Sequence, residues 1–125
     1  MSLKLLIVDD SKLARMAVGR TLNNIRPDWE RVEAANADEA LALIIQGGFK
    51  IVLMDFNMPG RDGLALASEL RELDPDMPLA LISANLQTEI VDRASAIGAH
   101  FLPKPLTQEA MNAFVATAEQ KLGMA

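Results

Sequence analysis

The sequence predicts an α/β fold in which five parallel strands form one doubly wound sheet with helices on both faces. Three observations predict it. Short apolar runs bounded by turn residues recur at residues 5–8, 32–35, 51–54, 79–82 and 101–102, each of strand length. Between them, and after the last, apolar residues fall at offsets of three and four, the spacing that gathers one stripe on a helix. The run Ile51-Val52-Leu53-Met54 is apolar without alternation, as expected of a strand covered on both faces.

Each element can be justified in order. The first run stops at Asp9, and Ser11 is placed to cap a helix striped by Ala14, Val18, Leu22 and Ile25. The second run follows Pro27-Asp28-Trp29; Asn36 then caps a helix carrying Ala37, Leu41 and Ile44, which Gly47-Gly48 stops. The third strand leads to Asp55, and its helix, with Ala67 and Leu70, is closed by Pro75 and Pro78. The fourth strand meets Ser83; Ile90, Ala94 and Ile97 stripe the next helix, and Gly98 ends it. The fifth strand runs into Lys104-Pro105, and Thr107 caps a final helix built on Met111, Phe114, Val115, Ala118 and Leu122. Strands alternating with helices make right-handed crossovers, hence a parallel sheet.

A chain of 125 residues, half of them hydrophobic, is expected to fold as one domain over residues 1–125 with no room left for an output domain. The lack of cysteine excludes disulfides and cysteine-bound zinc, and the single His100 excludes a histidine cluster. Chemistry must come from carboxylates, hydroxyls and amines. The net charge of −5, with scattered Lys and Arg, offers no footprint for direct nucleic-acid binding. The apolar stretch from Leu3 to Val8 is interrupted by Lys4 and stops at Asp9, too short for a secretory or membrane segment, so no membrane partner and a cytoplasmic location are expected.

Open parallel sheets bind ligands outside the carboxyl ends of their strands, so the residues that follow each run form a separate group. Asp9 and Asp10 follow strand one, Asp55 strand three, Ser83 strand four, and Lys104 strand five. Three ionised carboxylates at one edge repel unless a cation sits among them. Magnesium suits an all-oxygen inventory and is commonly held by one or two carboxylates together with a phosphate. A carboxylate can also act as a nucleophile toward a phosphoryl group, a transfer that needs mostly positioning and charge neutralisation. Lys104 supplies charge, Ser83 a hydroxyl donor, and the backbone N–H groups near Phe56 and Ala84 complete a phosphoryl cradle.

Asp9-Asp10-Ser11, the segment Met54-Asp55-Phe56-Asn57-Met58-Pro59-Gly60, Gly63, Ser83-Ala84 and Lys104-Pro105 together resemble the signature of bacterial receiver domains of the response-regulator family. The likeness runs over essentially the whole chain and is similar to stand-alone chemotaxis-type regulators. It implies a flavodoxin-like sheet of order 2-1-3-4-5. It further implies that Asp55 is the phosphoacceptor, that Asp10, Asp55 and the Asn57 backbone carbonyl hold magnesium, and that Asp9 assists through water. Ser83, Ala84 and Lys104 contact the phosphoryl group, and Ser83 with Phe101 forms a conformational switch. A histidine kinase or phosphotransfer protein would be the donor and a further protein the target. The state would be a monomer or a phosphorylation-dependent dimer, and the chain would be a signalling protein rather than an enzyme acting on a separate substrate.

Blander readings stand beside these. A single Asp at a strand end is usually a turn or capping residue, and Phe101 alone reads as a core aromatic. Lys104-Pro105 could be a solvated loop, although the proline makes its preceding residue extended and permits a cis bond. Trp29 and His100, expected at the opposite edge, read as packing residues, Met54 as core and Met58 as lining a loop. Arg15 and Arg20 read as solvated, with Arg15 able to border the site; Asn57 and Asn85 border it too. Ser83 stands where many relatives carry threonine and Phe101 where chemotaxis proteins often carry tyrosine, which loosens a rotamer restraint and removes a phenol hydrogen bond. The alternative is a magnesium-dependent aspartate-nucleophile phosphohydrolase. Such enzymes usually carry a second carboxylate two residues after the nucleophile, where this chain has Asn57.

Overall fold

A computed structural model describes residues 3–58, 62–84 and 87–123. Strands and helices alternate: β1 (Lys4–Val8), α1 (Lys12–Ile25), β2 (Glu30–Ala34), α2 (Ala37–Gln46), β3 (Phe49–Asp55), α3 (Gly63–Leu73), β4 (Leu79–Ser83), α4 (Thr88–Ala96), β5 (Ala99–Pro103) and α5 (Gln108–Lys121). All strand pairs are parallel, in the order β2-β1-β3-β4-β5, so the doubly wound sheet is as expected.

Alternate residues of the strands feed two separate cores. Leu6, Val8, Val52, Met54, Leu79 and Leu81 point toward α2, α3 and α4, while Leu5, Ile7, Ile51, Leu53, Ala80 and Ile82 point toward α1 and α5. This period of two is invisible in β3 because both of its faces are covered. Trp29 is buried on the α1/α5 side and Met54 in the opposite core, as expected of both.

The helix starts obey the capping chemistry expected of them. Ser11, Asn36 and Thr107 each accept a hydrogen bond from the backbone N–H three residues on, and Asp62 does the same for α3. Gly47 and Gly98 take positive φ, 89° and 70°, where L side chains are strained. Two expectations fail. Strand two was expected at residues 32–35 but spans Glu30–Ala34, because backbone pairing with β1 recruits the charged Glu30 and Arg31. Met58 was expected to line a loop; it is buried and packs into the core beneath α2, α3 and α4.

At the amino-terminal edge of the sheet, Arg71 ties together chain segments that end there. Its guanidinium donates to the carbonyls of Ile97 (2.7 Å), Gly98 (3.1 Å), Asp74 (3.3 Å), Pro75 (2.9 Å) and Met77 (2.7 Å). Helix C-termini leave unpaired carbonyls, and one planar cation here serves two such ends.

On the other layer, Arg26 at the end of α1 grips Glu119 of α5 through two hydrogen bonds, 3.0 and 2.6 Å. The fork holds the Glu119 carboxyl below its ordinary value of 4.5. A depressed carboxyl contributes stability that is fully present above the ordinary value and is lost as pH falls through the lowered one. Glu119→Gln is therefore expected to lose about 1 kcal/mol at neutral pH, since the pair is only partly shielded from water. Urea titrations should show the gap between variant and parent closing as the pH is taken below 4.5.

Candidate functional site

Register places the site residues expected from the sequence on one edge. Val8 pairs with Met54, Asp55 with Ile82 and Ser83 with Pro103, so β1, β3, β4 and β5 finish at nearly the same level. Asp9, Asp10, Asp55, Ser83 and Lys104 are thereby delivered to the carboxyl edge of the sheet. Backbone bonds fix the exits: Phe56 N–H donates to Ile82 (3.0 Å) and Lys104 N–H to Ser83 (3.0 Å). The Lys104–Pro105 peptide is cis.

One carboxylate oxygen from each of Asp9, Asp10 and Asp55 lies within 4.8 Å of the others. Asp9 and Asp55 are buried, at 6% and 4% exposure, while Asp10 faces solvent. Lys104 Nζ approaches Asp55 Oδ1 to 2.8 Å as an ion pair, and among the described residues no other donor reaches that buried oxygen. Burial raises the Asp9 carboxyl above its ordinary 3.8; the Ser11 amide (2.9 Å to Oδ1) opposes this, and the charge of Asp55 adds to it.

The donor set fits a hard divalent cation. Three oxygens converge, and among the described residues the buried Asp55 oxygen is met by the Lys104 ammonium alone. Ser83 is fully buried at the end of β4, Ala84 and Asn57 are exposed, and Phe101 is half-buried on β5, opposite Leu81. Asn85, Pro59 and Gly60 lie outside the described residues.

Two contributors were not given their roles by sequence reasoning. Gly63 begins α3 and donates to the Phe56 carbonyl (2.9 Å); a Cβ there would collide with the Asp55 carbonyl oxygen and reach Phe56 Cα and Leu81 Cδ2 at 2.9 Å. Only a glycine lets the helix start so close to the end of β3. Arg15, read as solvated but able to border the site, is half-buried and donates to the Asp9 carbonyl (2.6 Å) and to Glu33 (2.8 Å). Its place one turn after the Ser11 cap was the available signal, since helical side chains lean back toward the N-terminus.

Comparison with known proteins decides what this edge belongs to. Residues 5–116 match the family described as response regulator receiver domain. The chain belongs to that family. This receiver domain is 36% identical over 97 residues to the glycerol metabolism activator of Pseudomonas putida, covering 77% of this chain and 44% of that protein. It is 33% identical over 116 residues to the C4-dicarboxylate transport transcriptional regulatory protein DctD of Rhizobium meliloti, covering 92% of this chain and 25% of that protein. The chain thus spans less than half the length of these curated relatives. Among solved structures, the chemotaxis protein CheY4 of Vibrio cholerae superposes with a TM-score of 0.84 at 27% identity, covering 94% of this chain and 99% of that one. The receiver domain is of the kind that serves as the phosphoacceptor switch of two-component systems, and nothing supports the phosphohydrolase alternative. No helix among the described residues is long and apolar enough to cross a membrane.

Proposed function

We propose that this receiver domain accepts a phosphoryl group on Asp55 from a histidine kinase or phosphotransfer protein in the cytoplasm and then binds a protein target through an altered β5 surface. The observation that carries the reading is the convergence of Asp9, Asp10 and Asp55 within 4.8 Å, with Lys104 2.8 Å from Asp55. An Asp55 carboxylate oxygen attacks phosphorus, the bond from phosphorus to the donor breaks, and the donor departs with the electron pair. Asp10, Asp55 and the Asn57 carbonyl would hold magnesium, with Asp9 beside them. Bound there, magnesium supplies positive charge that offsets the carboxylates and the incoming phosphoryl oxygens.

Lys104 balances the charge that remains, and its backbone bond to Ser83 keeps ammonium and hydroxyl on adjacent strand ends. The hydroxyl of Ser83 and the N–H of Ala84 hydrogen-bond the phosphoryl oxygens, and Phe101 follows the shift of Ser83 from its half-buried position. The chain consumes phosphodonor once per cycle and returns to its starting state by slow hydrolysis of its own aspartyl phosphate, rather than turning over a separate ester. Lacking a phenol oxygen at Phe101, target recognition rests on shape there.

Intact-mass measurement after incubation with acetyl phosphate tests the proposal. One phosphoryl group should be gained only when magnesium is present, and peptide mapping should put it on Asp55. No gain, or a gain on a serine or threonine, would overturn the assignment.

A further inference from the structure

We propose that Arg15 is a positioning residue that sets the affinity of the acidic pocket for a divalent cation, by clamping the Asp9 main chain to Glu33 of β2. The proposal rests on the reading of that pocket as a magnesium site. The Asp9-Asp10 turn is restrained at three points. Asp9 N–H donates to Ala34 on β2 (3.1 Å), Asp9 Oδ1 accepts from Ser11 N–H (2.9 Å), and Asp9 C=O accepts from Arg15 Nη1 (2.6 Å). The second arm of the same guanidinium, Nε, donates to Glu33 Oε1 at 2.8 Å.

The two ends of this bridge differ in burial. The Arg15 side chain is 14% exposed and that of Glu33 47%, so the guanidinium is largely withdrawn from water while its counter-ion stands at the rim. Arg20, on the same helix, is exposed. Asp9, Asp10 and Asp55 repel one another, and the turn would relax apart without outside restraint. Holding it convergent before the cation arrives removes an ordering cost from binding. Groups that orient ligands without touching the metal commonly change affinity by about 10- to 100-fold when lost.

Charge and position predict opposite signs, which makes the role testable. Removing the guanidinium alone leaves Glu33 uncompensated, and this extra negative charge would favour a cation. Arg15→Lys keeps the charge but lacks the planar fork needed to reach carbonyl and carboxylate together. The paired change Arg15→Ala with Glu33→Ala removes both charges at once.

Magnesium titration calorimetry on the full chain, alongside thermal melts and phosphorylation rates at graded magnesium, tests the proposal. Both variants should bind magnesium about tenfold more weakly, and saturating magnesium should restore their phosphorylation rates. Unchanged or tighter binding in Arg15→Lys, with only the melting temperature lowered, would overturn the positioning role. If the parent chain takes up no magnesium, the reading of the pocket itself falls; if the parent binds and the variants match it, only the role of Arg15 does.

Discussion

Asp55→Asn is expected to take up no phosphoryl group from acetyl phosphate or from a phosphorylated kinase, while keeping its fold. The amide has the volume of the carboxylate but no anionic oxygen to attack phosphorus, so the loss should be on the order of a thousandfold or more. Folding should survive because the change also removes one of three mutually repelling carboxylates. Lys104 loses its partner, but at 38% exposure its ammonium can return to water. Intact mass should stay at the unmodified value, and the magnesium-free melting temperature should be no lower than that of the parent. Phosphoryl uptake by this variant would move the acceptor elsewhere.

Gly63→Ala is expected to damage stability and phosphorylation together. The added methyl meets Asp55 backbone oxygen and Phe56 Cα, neither of which can rotate away, as well as the more yielding Leu81 side chain. The start of α3 must therefore move from the end of β3, weakening the Gly63 to Phe56 hydrogen bond that holds the exit from the acceptor strand. Overpacking of this kind costs about 1 to 3 kcal/mol, and immovable backbone puts this site at the upper end. Urea unfolding should show the loss, and phosphorylation under saturating donor should slow even in the fraction that is folded. A variant matching the parent in both would mean that α3 can shift without disturbing Asp55.

The sheet was legible because apolar runs and helix caps agree. Ser11, Asn36 and Thr107 cap as their positions suggest, and residues 51–54 lie within a strand covered on both faces. Its limits were less legible where polarity misleads: Glu30, Arg31 and Glu33 give edge strand β2 no apolar signal, and β5 extends past its two most apolar residues to Ala99 and Pro103. Asp9, Asp10, Asp55, Ser83 and Lys104 share one sheet edge because each ends a strand or lies within two residues of its end, which sequence order alone conveys. Arg15 and Met58 were harder. Whether an arginine spans to a neighbouring strand, or a loop methionine turns inward, depends on distances that one-dimensional spacing does not contain.

The clasp made by Arg71 couples the carboxyl ends of α3 and α4, because Ile97 and Gly98 share one guanidinium with Asp74, Pro75 and Met77. Truncating that side chain would leave five main-chain acceptors without their shared donor at once, so a substitution there acts on two helices together rather than on one.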